Sequence, residues 1–105
     1  MTAVSATGFA ATDKAGRYVQ QLCRHWEHHL KVEHADGVGR IVFPKDARGA
    51  DWPGDARVTL EAKDDGIAIR VDASAPRQLD GLRGAVERHI DRFAFREDGL
   101  KYDWG

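Results

Sequence analysis

The chain has 105 residues, with 16 Lys and Arg against 17 Asp and Glu, a formal net charge of −1, and 42% apolar residues. That balance excludes the basic field of a protein that grips nucleic acid through its phosphates, and the composition excludes intrinsic disorder. One cysteine, Cys23, excludes an internal disulfide and suits a reducing cytoplasm, and no apolar run approaches the ~20 residues of a membrane span.

Residues 3–10 alternate weakly and read as a first strand. Thr12 and Asp13 follow as candidate helix N-caps, because either side chain can accept from a backbone N–H one turn on. A helix is expected over residues 15–30, where Ala15, Val19, Leu22, Trp26 and Leu30 form one apolar stripe. Val32 and His34 then alternate with charged neighbours, Asp36-Gly37 supplies a tight turn, and residues 40–43 return as a second hairpin arm. Residues 44–55 are polar and hold Gly49, Pro53 and Gly54; they read as a long surface loop with Trp52 as its large apolar residue. Val58, Leu60 and Ala62 lead through Asp64-Asp65-Gly66 to Ile67, Ile69 and Val71, a hairpin with one greasy and one wet face. A second helix starts at Ser74 as N-cap with Pro76 in its first turn. Its apolar stripe is Leu79, Leu82, Val86, Ile90 and Phe93, and it should end between residues 95 and 98. Leu100, Tyr102 and Trp104 alternate in a short strand or tail laid back on the body.

The order β-α-β-β-β-β-α makes residues 1–105 a single α+β domain. The expected form is a two-layer sandwich, with two helices on one face of a mostly antiparallel sheet. By topology it is similar to the TATA-box-binding-protein-like or helix-grip folds, in which a cavity can open between helix and sheet.

Candidate chemistry gathers in two places. Four of the five histidines lie between residues 25 and 34, and His25 and His29, four apart, would share a helix edge suited to one metal ion. His28 points elsewhere and is expected in water, and a partly buried, hydrogen-bonded His29 is the bland alternative to a ligand. The second patch holds Arg92 and Arg96 beside Phe93 and Phe95, followed by Tyr102 and Trp104. Paired guanidinium forks beside aromatic rings suit a carboxylate or phosphate; pairing with Asp91, Glu97 or Asp103 is the alternative. Cys23 reads as a small buried residue rather than a nucleophile. The chain carries no phosphate-binding glycine loop and no nucleophile elbow.

The stretch Arg17-Tyr18-Val19-Gln20-Gln21-Leu22-Cys23-Arg24-His25-Trp26-Glu27-His28 belongs with Gly39-Arg40-Ile41-Val42-Phe43 and His89-Ile90-Asp91-Arg92-Phe93-Ala94-Phe95-Arg96-Glu97. Together with the closing Tyr102-Asp103-Trp104, these segments resemble the bacterial domain-of-unknown-function family 2218 over nearly the whole chain. The resemblance implies a small cytoplasmic bacterial protein, with an accessory role near siderophore utilisation. It also places His25, His28, Arg92, Phe93 and Trp104 in the family pattern. The expected function is therefore a non-enzymatic binding domain for a small anionic or metal-chelating ligand or for a partner protein, acting through His25, His28, Arg92, Arg96 and Trp104. The alternatives are a metal-binding protein or metal-dependent enzyme centred on His25 and His29, and a structural module that dimerises through an open sheet edge. Neither nucleic acid nor a membrane is expected as a partner, and the sequence designates no cofactor.

Overall fold

The computed structural model describes residues 3–46 and 49–105. Strand β1 (Val4–Ala11) and helix α1 (Ala15–Trp26) come first, then β2 (Lys31–Ala35), β3 (Val38–Phe43), β4 (Ala56–Ala62) and β5 (Gly66–Ala73). Helix α2 (Pro76–Phe93), a 3-10 turn (Phe95–Glu97) and strand β6 (Tyr102–Trp104) complete the chain. The strands form one six-stranded antiparallel sheet in the order β2-β3-β4-β5-β1-β6. The α+β class and the element order are those read from the sequence.

Register explains why one face of the sheet is greasy. Ala10 lies opposite Ile67, Val71 opposite Val58, and Val58 opposite Ile41, so the buried positions of four strands share one side. Residues paired across an antiparallel ladder project from the same face. Against that side α1 lays Tyr18, Val19, Leu22, Cys23 and Trp26, and α2 lays Val86 and Ile90. Each fully buried Leu, Ile or Val contributes ~1.5–3 kcal/mol over its exposed state. The other side carries Arg40, Arg57, Arg70 and Asp72 and faces water, so the sheet is covered by helices on one side only.

Local chemistry sets the joints. Asp36 and Gly37 have φ of 53° and 77°, the positive pair that a two-residue hairpin turn of this hand requires. At Gly8 an added Cβ would stand 2.6 Å from Trp104 Cε3, so only glycine lets β6 lay its indole across β1.

Four expected boundaries shift. Helix α1 stops at Trp26 rather than Leu30: residues 27–30 form a turn in which the Trp26 carbonyl accepts from both His29 N–H (3.1 Å) and Leu30 N–H (2.8 Å), and the chain then enters β2. Thr12 is not the N-cap of α1, a position held by Lys14. Its hydroxyl instead accepts from Lys14 N–H (3.1 Å) and donates to Glu97, whose carboxylate also accepts from Tyr18. Ser74 stands one residue before the N-cap Ala75, and α2 ends at Phe93, the 3-10 turn continuing the coil to Glu97.

Candidate functional site

Helix α2 is hollowed along one face. Gln78, Gly81, Leu82, Ala85 and His89 fall together at helical spacing, and two of them are nearly without side chain. A Cβ added at Gly81 would meet nothing within 4 Å. Opposite this recess stand the end of α1 and the segment after β3. Between them lies a cleft of about 720 Å³, lined by His25, Trp26, His29, Leu30, Phe43, Pro44, Asp46, Trp52, Arg77, Arg88 and the α2 face. Small-ligand sites commonly measure roughly 300–1,000 Å³.

A chain of aromatic rings forms its floor. Phe43 meets Trp26 edge-on at 5.1 Å, Trp26 meets His89 at 5.1 Å, and His89 meets His25 at 5.4 Å. Phe93, outside the cleft lining, meets His25 edge-on at 6.1 Å. Trp52 reaches the cleft because its loop is pinned: Trp52 N–H donates to Lys45 O (3.0 Å) and Lys45 N–H to Asp55 Oδ1 (2.8 Å). A second knot fixes the loop to the start of α2. Gln78 Nε2 donates to Gly54 O (3.1 Å), Gly54 N–H to Ser74 Oγ (3.1 Å) and Ser74 N–H to Gln78 Oε1 (2.7 Å). Gln78 is buried, and these bonds satisfy it.

The charged groups of the cleft lean cationic: Arg77 and Arg88 face one carboxylate, Asp46, with three imidazoles beside them. Burial holds the His25 imidazole below its ordinary value, and the charges of His89, Arg92, His28 and His29 push it the same way. It is therefore neutral at neutral pH. His89 Nδ1 lies 2.6 Å from the Ala85 carbonyl. A carbonyl only accepts, so Nδ1 carries a hydrogen, and in the neutral ring the lone pair is on Nε2. Cys23 is buried, and desolvation followed by the Glu27 charge pushes its thiol up to about 11, which removes it as a nucleophile.

The residues singled out by sequence divide. His25 and His29 both line the cleft, His29 from the exposed turn beyond α1 rather than from the helix itself. His28 is exposed on the same turn, and Arg92 is exposed but close enough for its charge to act on His25. Arg96 lies over the exposed Phe95 ring at 5.8 Å, outside the cleft lining. Trp104 belongs to the far flank of α2, where its indole N–H donates to Glu87 Oε2 (2.6 Å). Beside it Tyr102 donates to Asp91 Oδ1 (2.7 Å). Sequence reasoning missed Phe43, Trp52, Gln78, Arg77 and Arg88 as cleft residues. The available signal was the small pair Gly81 and Ala85, four apart on one face of a long helix.

Two comparisons agree with this architecture. The profile of a family described as "Uncharacterized protein conserved in bacteria", domain of unknown function 2218, matches residues 7–105. The chain is also similar to the NMR structure of PA4090 from Pseudomonas aeruginosa, with 28% identity and a TM-score of 0.73 over 96% of this chain and 94% of that one. No curated protein matches it. Among the described residues no helix is long and apolar enough to cross a membrane.

Proposed function

We propose that this chain, which belongs to the uncharacterised bacterial family of domain of unknown function 2218, is a binding domain whose cleft takes a small anionic molecule with a flat, partly apolar body. One observation carries the reading. A recess of about 720 Å³ combines the Trp26, Phe43 and Trp52 rings with Arg77 and Arg88 at its edge. Such walls receive an apolar body, while guanidinium groups receive carboxylate through charge-assisted hydrogen bonds. Metal-chelating anions fall in the same class, and a role beside siderophore utilisation would enter through them.

Salicylate is a suitable probe: planar, aromatic and a carboxylate. Thermal unfolding followed against its concentration should give a saturable rise in Tm, since a ligand held by the native state stabilises it. Arg88→Gln, an exposed change that leaves the core untouched, should weaken that response about tenfold. A Tm that stays flat at millimolar salicylate, benzoate and benzenesulfonate would overturn the reading.

A further inference from the structure

We propose that His25 and His89 form a two-nitrogen seat for a late first-row divalent metal ion at the wall of the cleft, its remaining positions filled by the anion bound there. The inference deepens the ligand reading above and rests on it for the co-ligand. The two imidazoles come from different helices, α1 and α2, yet their ring centres are 5.4 Å apart with planes inclined at 46°. Two imidazoles each bound through one nitrogen at ~2.0–2.1 Å to a tetrahedral ion hold their ring centres about 5 Å apart. The observed separation of the ring centres matches that spacing.

The neighbours prepare the pair. His89 Nδ1–H is already committed to the Ala85 carbonyl, which leaves Nε2 as the coordinating atom. Ligating histidines are typically oriented by such an outer carbonyl. Trp26 packs against His89 and Phe93 against His25, so both rings are braced by the core. Imidazole nitrogens suit Zn²⁺, Cu²⁺ and Ni²⁺.

The charges around the pair decide what else must be present. Arg88 precedes His89, and Arg92 acts on His25, so a bare cation is repelled while an anion is attracted. Among the described residues no three His, Cys, Asp or Glu side chains gather to hold an ion by themselves. An anionic chelator supplies both the missing ligands and the missing negative charge. His34 is exposed on β2 and lies outside the cleft lining, and it serves as the control.

Zn²⁺ titrated into the untagged protein, with and without salicylate and followed by calorimetry and imidazole ¹⁵N resonances, tests the seat. One equivalent should bind, salicylate and Zn²⁺ should each tighten the other by the same factor, and the His25 and His89 nitrogens should shift in the wild-type chain. His25→Gln and His89→Gln should each lower Zn²⁺ affinity at least tenfold, while His34→Gln leaves it unchanged. If salicylate binds but Zn²⁺ leaves both imidazoles unmoved, the seat is refuted and the cleft reading stands. If Zn²⁺ shifts both imidazoles while salicylate does not bind, the two histidines hold the ion without an anionic co-ligand, and both the co-ligand claim and the cleft reading fail. Equal losses from His34→Gln and His89→Gln would mean capture by a surface histidine run and would also refute the seat.

Discussion

Replacing Gly81 by leucine separates binding from stability, because the two should move in opposite directions. Gly81 lies inside α2, and nothing stands within 4 Å of the Cβ it lacks, so a side chain there meets open cleft rather than a neighbour. Leucine in a helix interior is favoured over glycine by about 0.8 kcal/mol, through backbone entropy alone. For a domain of this size 1 kcal/mol moves Tm by roughly 4–8 °C, so Gly81→Leu should melt about 3–6 °C higher than the parent. The same side chain fills the recess that Gly81 and Ala85 create, and salicylate affinity should fall about tenfold, or 1.4 kcal/mol. Gly16→Ala is the matched control, since its added Cβ also meets nothing, but in α1 and outside the cleft lining. It should raise Tm and leave binding alone. Thermal melts and calorimetric titration of both variants suffice. A Gly81→Leu protein that binds as tightly as the parent would refute the assignment of the cleft as the site; one that melts lower would refute the openness of the recess.

The remaining predictions concern the groups around this frame. The chain has two tyrosines, and both are held protonated: Tyr18 is pushed up to about 12 by burial, then by its hydrogen bond to Glu97, and Tyr102 higher still by burial and then by Asp91. An alkaline titration should therefore show no tyrosinate absorbance as pH passes the ordinary value of 10.0, and its early appearance would contradict the two buried hydroxyl–carboxylate pairs. His25 is depressed below its ordinary 6.5 by burial, then by His89, Arg92, His28 and His29. The unfolded chain thus takes up its proton first, so this contribution to stability is complete above pH 6.5 and is lost as pH falls below it toward the folded value. Denaturant melts of the wild type and His25→Gln should show a shallower acid slope in the variant. Gly8→Ala would force its new methyl into Trp104, 2.6 Å away, and should cost ~1–3 kcal/mol in chemical unfolding while perturbing the Trp104 indole signal.

What the sequence revealed and what it hid follow from the range of the interactions. The second hairpin was legible because Val58, Leu60, Ile67, Ile69 and Val71 alternate strictly, and a period of two leaves little choice of face. Both apolar helix stripes were legible for the same reason at a period near 3.6. The end of α1 was not, since neither glycine nor proline stands after Trp26 and the turn depends on where β2 must begin. Residues 44–55 read as a surface loop, and Ala47 and Arg48 within it lie outside the described residues. Trp52 nonetheless faces the cleft, through a knot of Gly54, Ser74 and Gln78 that joins residues 20 to 24 apart. Arg77 and Arg88 stand outside the apolar stripe of α2, and only the recess between them gives that face a use. Trp104 looked available to a ligand, whereas Glu87 and the bare backbone of Gly8 already engage it.

Three tryptophans make the decisive measurement direct. Trp26 and Trp52 border the recess, while Trp104 lies on the opposite flank of α2 with its indole N–H bonded to Glu87. Salicylate titrated into ¹⁵N-labelled protein should move the indole signals of Trp52 and Trp26 along saturable curves and leave that of Trp104 in place. Movement of Trp104 with the other two fixed, or no movement in any of the three, would contradict the account.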